Sequence, residues 1–196
     1  MKSLLGFLTI AMTFFMLAQP AQAQVDDPDF MTGGSPLNKR YQFFSGGYSG
    51  SISRTTVSFP GNYKPGSIFI NTAERRLYFM LGDGQALRYG IGVGRDGFRW
   101  SGVHKVSAKK EWPDWTPPPQ MLRRRPDLPR FMKGGEDNPL GARAMYLGSS
   151  LYRIHGSNEP ETIGQAVSSG CFRMTNADVV DLYNRVQLGA TVIVKN

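Results

Sequence analysis

The sequence predicts a mainly β domain carrying one helix. Three observations lead there. Short apolar runs are separated by Gly-, Asp- and Ser-rich turns, and one stretch near the C-terminus places apolar residues at helical spacing. Between them, a Pro-dense stretch from Lys109 to Gly141 breaks both patterns.

Taken in order, Ser67-Ile68-Phe69-Ile70 reads as a strand and Leu77-Tyr78-Phe79-Met80-Leu81 as a second. Gly82-Asp83-Gly84-Gln85 is a turn, and Ala86 to Val93 is a third strand, completing a hairpin. Val103 to Ala108 is a further strand. Ala142 to Leu147 and Leu151 to His155 flank Gly148-Ser149-Ser150 as a second hairpin. Thr175 is the expected N-cap of the helix, with Asp178 three residues on as a shortened capping box. Val179, Val180, Tyr183 and Val186 form its apolar face. Gly189 is expected to end it, and Thr191 to Val194 is the last strand.

Pro113, Pro117, Pro118, Pro119, Pro126, Pro129 and Pro139 exclude regular structure over most of the central stretch. Trp112, Trp115, Phe131, Met121 and Met132 give it apolar surface to bury, so it reads as a packed, substrate-covering loop rather than a disordered one. Arg123-Arg124-Arg125 in this loop fits a solvated charge run as well as a ligand contact.

The N-terminus has the layout of a secretory signal peptide. Lys2 precedes an apolar run from Leu4 to Leu17, and Ala21-Gln22-Ala23 is a small-x-small cleavage site. The run is shorter than the roughly 20 residues a transmembrane helix needs. The expected organisation is a signal peptide over 1–23, a Gly- and Ser-rich arm over 24–64 and one folded domain over 65–196. Cleavage would leave no stable transmembrane segment and a protein of the periplasm or cell envelope. The net charge of the 196-residue chain is +8. In an exported protein this suits an anionic wall or membrane surface better than nucleic acid, which is not an expected partner.

Exported domains commonly use disulfides, yet this chain has one cysteine, Cys171. It lies in Ser168-Ser169-Gly170-Cys171-Phe172-Arg173-Met174, just before the helix. Ile154-His155-Gly156-Ser157 closes a predicted strand. A thiol acts as a nucleophile in its thiolate form, and an adjacent imidazole can take its proton and return it to a leaving amine. His104 and His155 are the available imidazoles, and His104 reads as an exposed strand-end residue. His155, ending a strand beside a glycine, is placed to reach a second loop. Gly170 and Cys171 could direct backbone amides at an oxyanion, and Arg173 could hold a carboxylate. By spacing alone this is a suggestive cysteine–histidine pair. Gly90-x-Gly92-x-Gly94 imitates a dinucleotide loop, but no helix follows it. Ser168 and Ser169 lack the setting of a serine nucleophile. No cluster has metal-ligand spacing, and neither a metal nor any other cofactor is expected.

His-Gly-Ser followed by Ser-x-Gly-Cys-x-Arg-Met resembles the signature of the L,D-transpeptidase (YkuD-type) family. Trp112-Pro113-Asp114-Trp115-Thr116-Pro117-Pro118 and Asn138-Pro139-Leu140-Gly141 fit its pattern too, so the resemblance covers about Pro65 to Asn196. It implies a β-sandwich catalytic domain with one flanking helix and the long Pro-rich loop. It implies Cys171 as the acylated nucleophile, His155 as its base and Gly156 as the residue whose carbonyl orients that base. Gly170 matches the oxyanion region and Arg173 a residue facing substrate. Ser169 departs from the family, which often has His there. The implied partners are peptidoglycan stem peptides, with an envelope protein as a candidate acceptor. The implied reaction is acyl transfer to an amine, with sensitivity to carbapenem-like acylating agents. A hydrolase using the same site and a non-catalytic wall-binding protein are the alternatives.

Overall fold

The computed structural model describes residues 52–196. The expected signal peptide and most of the expected arm lie outside the described residues. The strands are β1 (Thr55–Ser58), β2 (Ile68–Asn71), β3 (Arg76–Gly82), β4 (Gln85–Gly90), β5 (Val93–Gly94), β6 (Gly102–Glu111), β7 (Arg143–Leu147), β8 (Arg153–His155), β9 (Ala166–Ser168), β10 (Phe172–Arg173) and β11 (Thr191–Lys195). The helices are α1 (Pro119–Arg124) and α2 (Asn176–Arg185). The domain is mainly β, as its sequence predicts.

Nine strands form one continuous sheet in the order β1-β4-β3-β2-β11-β6-β7-β8-β10. Its hinge is β6. Residues Gly102 to Lys105 pair with β11, and Val106 to Glu111 pair with β7 across an irregularity at Val106–Ala108. Such bulges bend a strand and let one sheet curl over a shared core. Ile68, Ile70, Leu77 and Tyr89 from one half meet Met145, Leu147, Ile154 and Phe172 from the other, and Val179 and Leu182 of α2 close the same cluster. This two-faced packing around one core is the expected sandwich.

The β3–β4 turn uses Asp83-Gly84, both at positive φ, the backbone preference of tight hairpin turns. The N-cap of α2 is Thr175, whose Oγ1 accepts from the Asp178 amide at 3.1 Å. The other end of α2 is held from the sheet: Lys109 Nζ donates to the carbonyls of Tyr183 and Val186, both at 2.6 Å.

Several boundaries differ from the sequence reading. The sheet also takes in chain ahead of Pro65: β1 pairs residue by residue with β4, and Arg54 reaches Asp181 at 3.2 Å on α2. As a largely exposed edge strand, β1 carries a single apolar residue, Val57, too few for a period to show. The third predicted strand stops at Gly90, where the chain leaves the main sheet to pair β5 with β9. The helix ends at Arg185, four residues before Gly189, because Val186 leaves helical geometry and is only 2% exposed in the core. In the Pro-dense stretch, Pro118 and Pro119 start the short helix α1; proline is compatible with a first turn, where an amide partner is missing anyway.

Candidate active site

Strands β8 and β10 run parallel, with Phe172 opposite Ile154 and Arg173 opposite His155. Alternation then decides the faces. Ile154 and Phe172 point into the core and are essentially unexposed. His155 and Arg173 therefore occupy the other face, and Cys171, one residue before Phe172, joins them there. All three line one cleft of about 540 Å³. Its opposite wall is the Pro-dense segment, through Trp115, Pro118, Met121 and Leu140. Trp115, Met121 and Leu140 form a small core of their own, joined by Phe98, Leu128 and Met132. The expected packed loop is thus a cleft wall. Of the three adjacent arginines, Arg124 faces the cleft.

His155 is buried, and its Nδ1 lies 2.6 Å from the Gly156 carbonyl oxygen. A carbonyl can only accept, so Nδ1 carries the proton. In the neutral ring this leaves Nε2 as the basic nitrogen. Burial lowers the imidazole pKa to about 3; Arg173 and Arg153 push the same way, and the Gly156 hydrogen bond opposes them. The resting ring is therefore neutral at ordinary pH. Gly156 itself is clamped: its amide donates to Arg143 O at 3.0 Å, and a Cβ there would collide with Asn176 Oδ1. That oxygen already accepts from the Ala142 amide at 2.9 Å. A glycine is required because two backbone segments and a side chain meet at this point.

Cys171 is half-buried, and its Sγ contacts Leu151 O at 3.8 Å. Burial pushes the thiol pKa up, while the charge, backbone amide and side chain of Arg153 pull it down, with a smaller pull from Arg173. The thiol and the imidazole are thus both neutral at rest.

The turn before Cys171 is closed by its own hydrogen bonds. Ser168 Oγ donates to Cys171 O at 2.6 Å and accepts the Gly170 amide at 3.1 Å. This departs from the oxyanion reading of Gly170, whose N–H already has an acceptor; the hydroxyl of buried Ser168 fits between the two ends of a tight turn. Gly170 adopts φ +103°, and a Cβ there would strike the Tyr152 ring. Ser169 lines the cleft. Arg173 is 7% exposed and donates from Nη1 to Glu159 Oε2 at 2.9 Å. One edge of its guanidinium therefore already holds a carboxylate from the chain itself, a partner that local sequence did not reveal. His104 is half-buried against the Trp100 ring, 5.0 Å between centroids, rather than a free strand end.

Residues 65–194 match the model of the L,D-transpeptidase catalytic domain, YkuD. The chain belongs to the L,D-transpeptidase family. Two curated relatives from Escherichia coli K12 are named probable L,D-transpeptidases. ErfK/SrfK is 40% identical over 134 residues, covering 64% of this chain and 42% of the relative. YbiS is 39% identical over 134 residues, covering 64% and 43%. The chain therefore spans about two fifths of the length of these relatives. The catalytic domain of the Enterococcus faecium L,D-transpeptidase shares the fold, with a TM-score of 0.53 at 19% identity, covering 69% of this chain and 100% of that one. A Brucella melitensis structure described as a probable carnitine operon oxidoreductase caia is 46% identical, with a TM-score of 0.50, covering 74% and 94%. That description names another reaction class and is said of that protein; the family assignment rests on the catalytic-domain model and the curated relatives.

In this L,D-transpeptidase chain, several supporting residues escaped the sequence reading. Trp100 donates its indole N–H to Gly170 O at 2.8 Å and stacks on Tyr152, with centroids 4.4 Å apart and planes at 13°. Tyr152, Arg153 and Phe98 line the cleft. The available signals were an isolated tryptophan in Arg99-Trp100-Ser101-Gly102 and an arginine two residues before His155. Neither has meaning until the strands are paired.

Proposed function

We propose that this chain is an exported peptidoglycan L,D-transpeptidase, acylated at Cys171 by a stem tetrapeptide. The observation that supports this most is the parallel β8–β10 register, which sets Cys171 and His155 on one face at one cleft.

The thiol turns from Leu151 O toward His155, and Nε2 takes its proton as sulfur bonds to the carbonyl carbon of the penultimate residue. The carbonyl π pair moves onto oxygen. On collapse, the bond to the terminal D-residue breaks, and the imidazolium returns its proton to the departing amine. An acceptor amine then resolves the thioester by the same route in reverse. Neutral resting partners favour this order, because charge appears only as the bond forms. The acceptor is an amine of another stem peptide, of an envelope protein or of a free D-amino acid, and the product contributes to wall organisation.

The test uses the mature protein and Cys171→Ala with tetrapeptide muropeptides, with and without a free D-amino acid, read by mass spectrometry. Cysteine-dependent dimers or exchange products are expected. Cysteine-dependent loss of the terminal residue alone would make the site a hydrolase, and full function in the alanine variant would make the protein a binding module.

A further inference from the structure

Arg153 stands beside Cys171 in the register. Phe172 faces Ile154, so the preceding residues, Cys171 and Arg153, are neighbours on the cleft side of the paired strands. Both reach the same atom: Leu151 O lies 3.8 Å from Cys171 Sγ and 3.3 Å from Arg153 Nη1. The guanidinium also covers the Tyr146 ring at 5.1 Å, which fixes its plane. Its Nε is buried and has no hydrogen-bond acceptor among the described residues.

A buried donor without an acceptor is costly, and a neutral thiol is a poor acceptor. That cost falls when the neighbouring sulfur becomes anionic, because a charge-assisted hydrogen bond is stronger than a neutral one. A donor that is satisfied only when charge develops lowers the barrier rather than tightening ground-state binding. The other titratable and charged groups at this cleft are His155 and Arg173 on the same face, Tyr152 beside Arg153, and Arg124 across on α1. Arg173 is already bound to Glu159. Only Arg153 shares the oxygen that the thiol touches.

We infer that Arg153 is a positioning residue for the nucleophile, its guanidinium holding the anionic form of Cys171 as the thiol gives up its proton. This rests on Cys171 being the nucleophile of the proposed function, but its test does not require transpeptidase turnover. Burial alone would hold the thiol protonated, and the charge of Arg153 opposes that.

The experiment measures the rate of Cys171 alkylation by iodoacetamide against pH, by intact mass, in the mature wild type and in Arg153→Gln. The midpoint of the profile is expected to move upward in the variant, with alkylation about tenfold slower at pH 7 and equal rates at high pH. Arg153→Lys should restore part of the shift. Thermal melts establish that each variant is folded, and Arg153→Met replaces the glutamine variant if that one is not. Superimposable profiles in folded wild type and neutral variant would overturn the proposal. A shifted profile in a protein that makes no muropeptide product would keep it and sink the transpeptidase reading instead.

Discussion

The indole N–H of Trp100 donates to the Gly170 carbonyl at 2.8 Å, tying a loop after β5 to the residue before Cys171. The same ring stacks on Tyr152 and packs on Phe172 at 5.4 Å. One side chain thus fixes both chain segments that flank Cys171. Trp100→Phe removes the hydrogen bond and keeps an aromatic ring. A loss of about 1 kcal/mol in stability is expected, with a roughly tenfold lower acylation rate because the turn loses its anchor. Urea denaturation and carbapenem acylation followed by intact mass check the two effects. An unchanged acylation rate in the folded variant would show that the turn holds itself through Ser168.

Gly156→Ala tests the clamp beneath His155. The added methyl meets the Ala142 amide nitrogen and Asn176 Oδ1, which that amide holds by a hydrogen bond at 2.9 Å. A destabilisation of ~1–3 kcal/mol is expected from overpacking. The displaced Gly156 carbonyl should also free the His155 ring, lowering acylation more than thermal stability predicts. Comparing acylation rates with melting temperatures separates the two.

The pH dependence follows from the buried imidazole. Its folded pKa of about 3 lies below the ordinary value of 6.5. Between these values the unfolded chain binds the extra proton, so the stability contributed by a neutral His155 is present above about pH 6.5 and is lost as pH falls toward 3. Denaturation midpoints measured from pH 7 to pH 4 should therefore fall, and less steeply in His155→Gln. With His155 as the proposed base, its ring should stay unprotonated over the same range, so acylation should not show the loss near pH 6.5 expected of an ordinary histidine. Such a loss would mean that the ring is hydrated in solution.

Lys109 offers a change that separates stability from chemistry. Its two hydrogen bonds cap the end of α2, and its Nζ lies 4.1 Å from the centroid of the Tyr183 ring. Lys109→Met should cost ~1–3 kcal/mol through unpaired helix carbonyls. The pH profile of Cys171 alkylation should not move. A shifted profile would show that α2 and Cys171 are coupled through the core.

Much of this domain is legible in its sequence. Strands β2, β3, β7 and β11 are half-buried or core strands, so apolar residues mark them. Thr175 and Asp178 mark the start of α2, because a helix needs a cap and local residues supply it. By contrast, β1 is an exposed edge, and β5, β9 and β10 are too short for any periodicity to show. Their hydrogen bonds come from segments distant in the chain. Among the site residues, Cys171 and His155 stood out by chemical type and local pattern. Trp100 and Arg153 did not, since a tryptophan in a loop and an arginine in a strand are ordinary until their partners are known.

Sequence by itself determined the family, the mainly β class and the chemically capable pair Cys171 and His155, because side-chain chemistry and apolar spacing are local properties. Tertiary structure decided what those residues can do. The β8–β10 register chose their common face, and burial set the imidazole neutral. The Gly170 amide was taken by Ser168, Arg173 was turned to Glu159, and Arg153 was left beside the thiol with a donor unfilled. Each of these depends on which groups are brought together and dried, and only the folded chain specifies that.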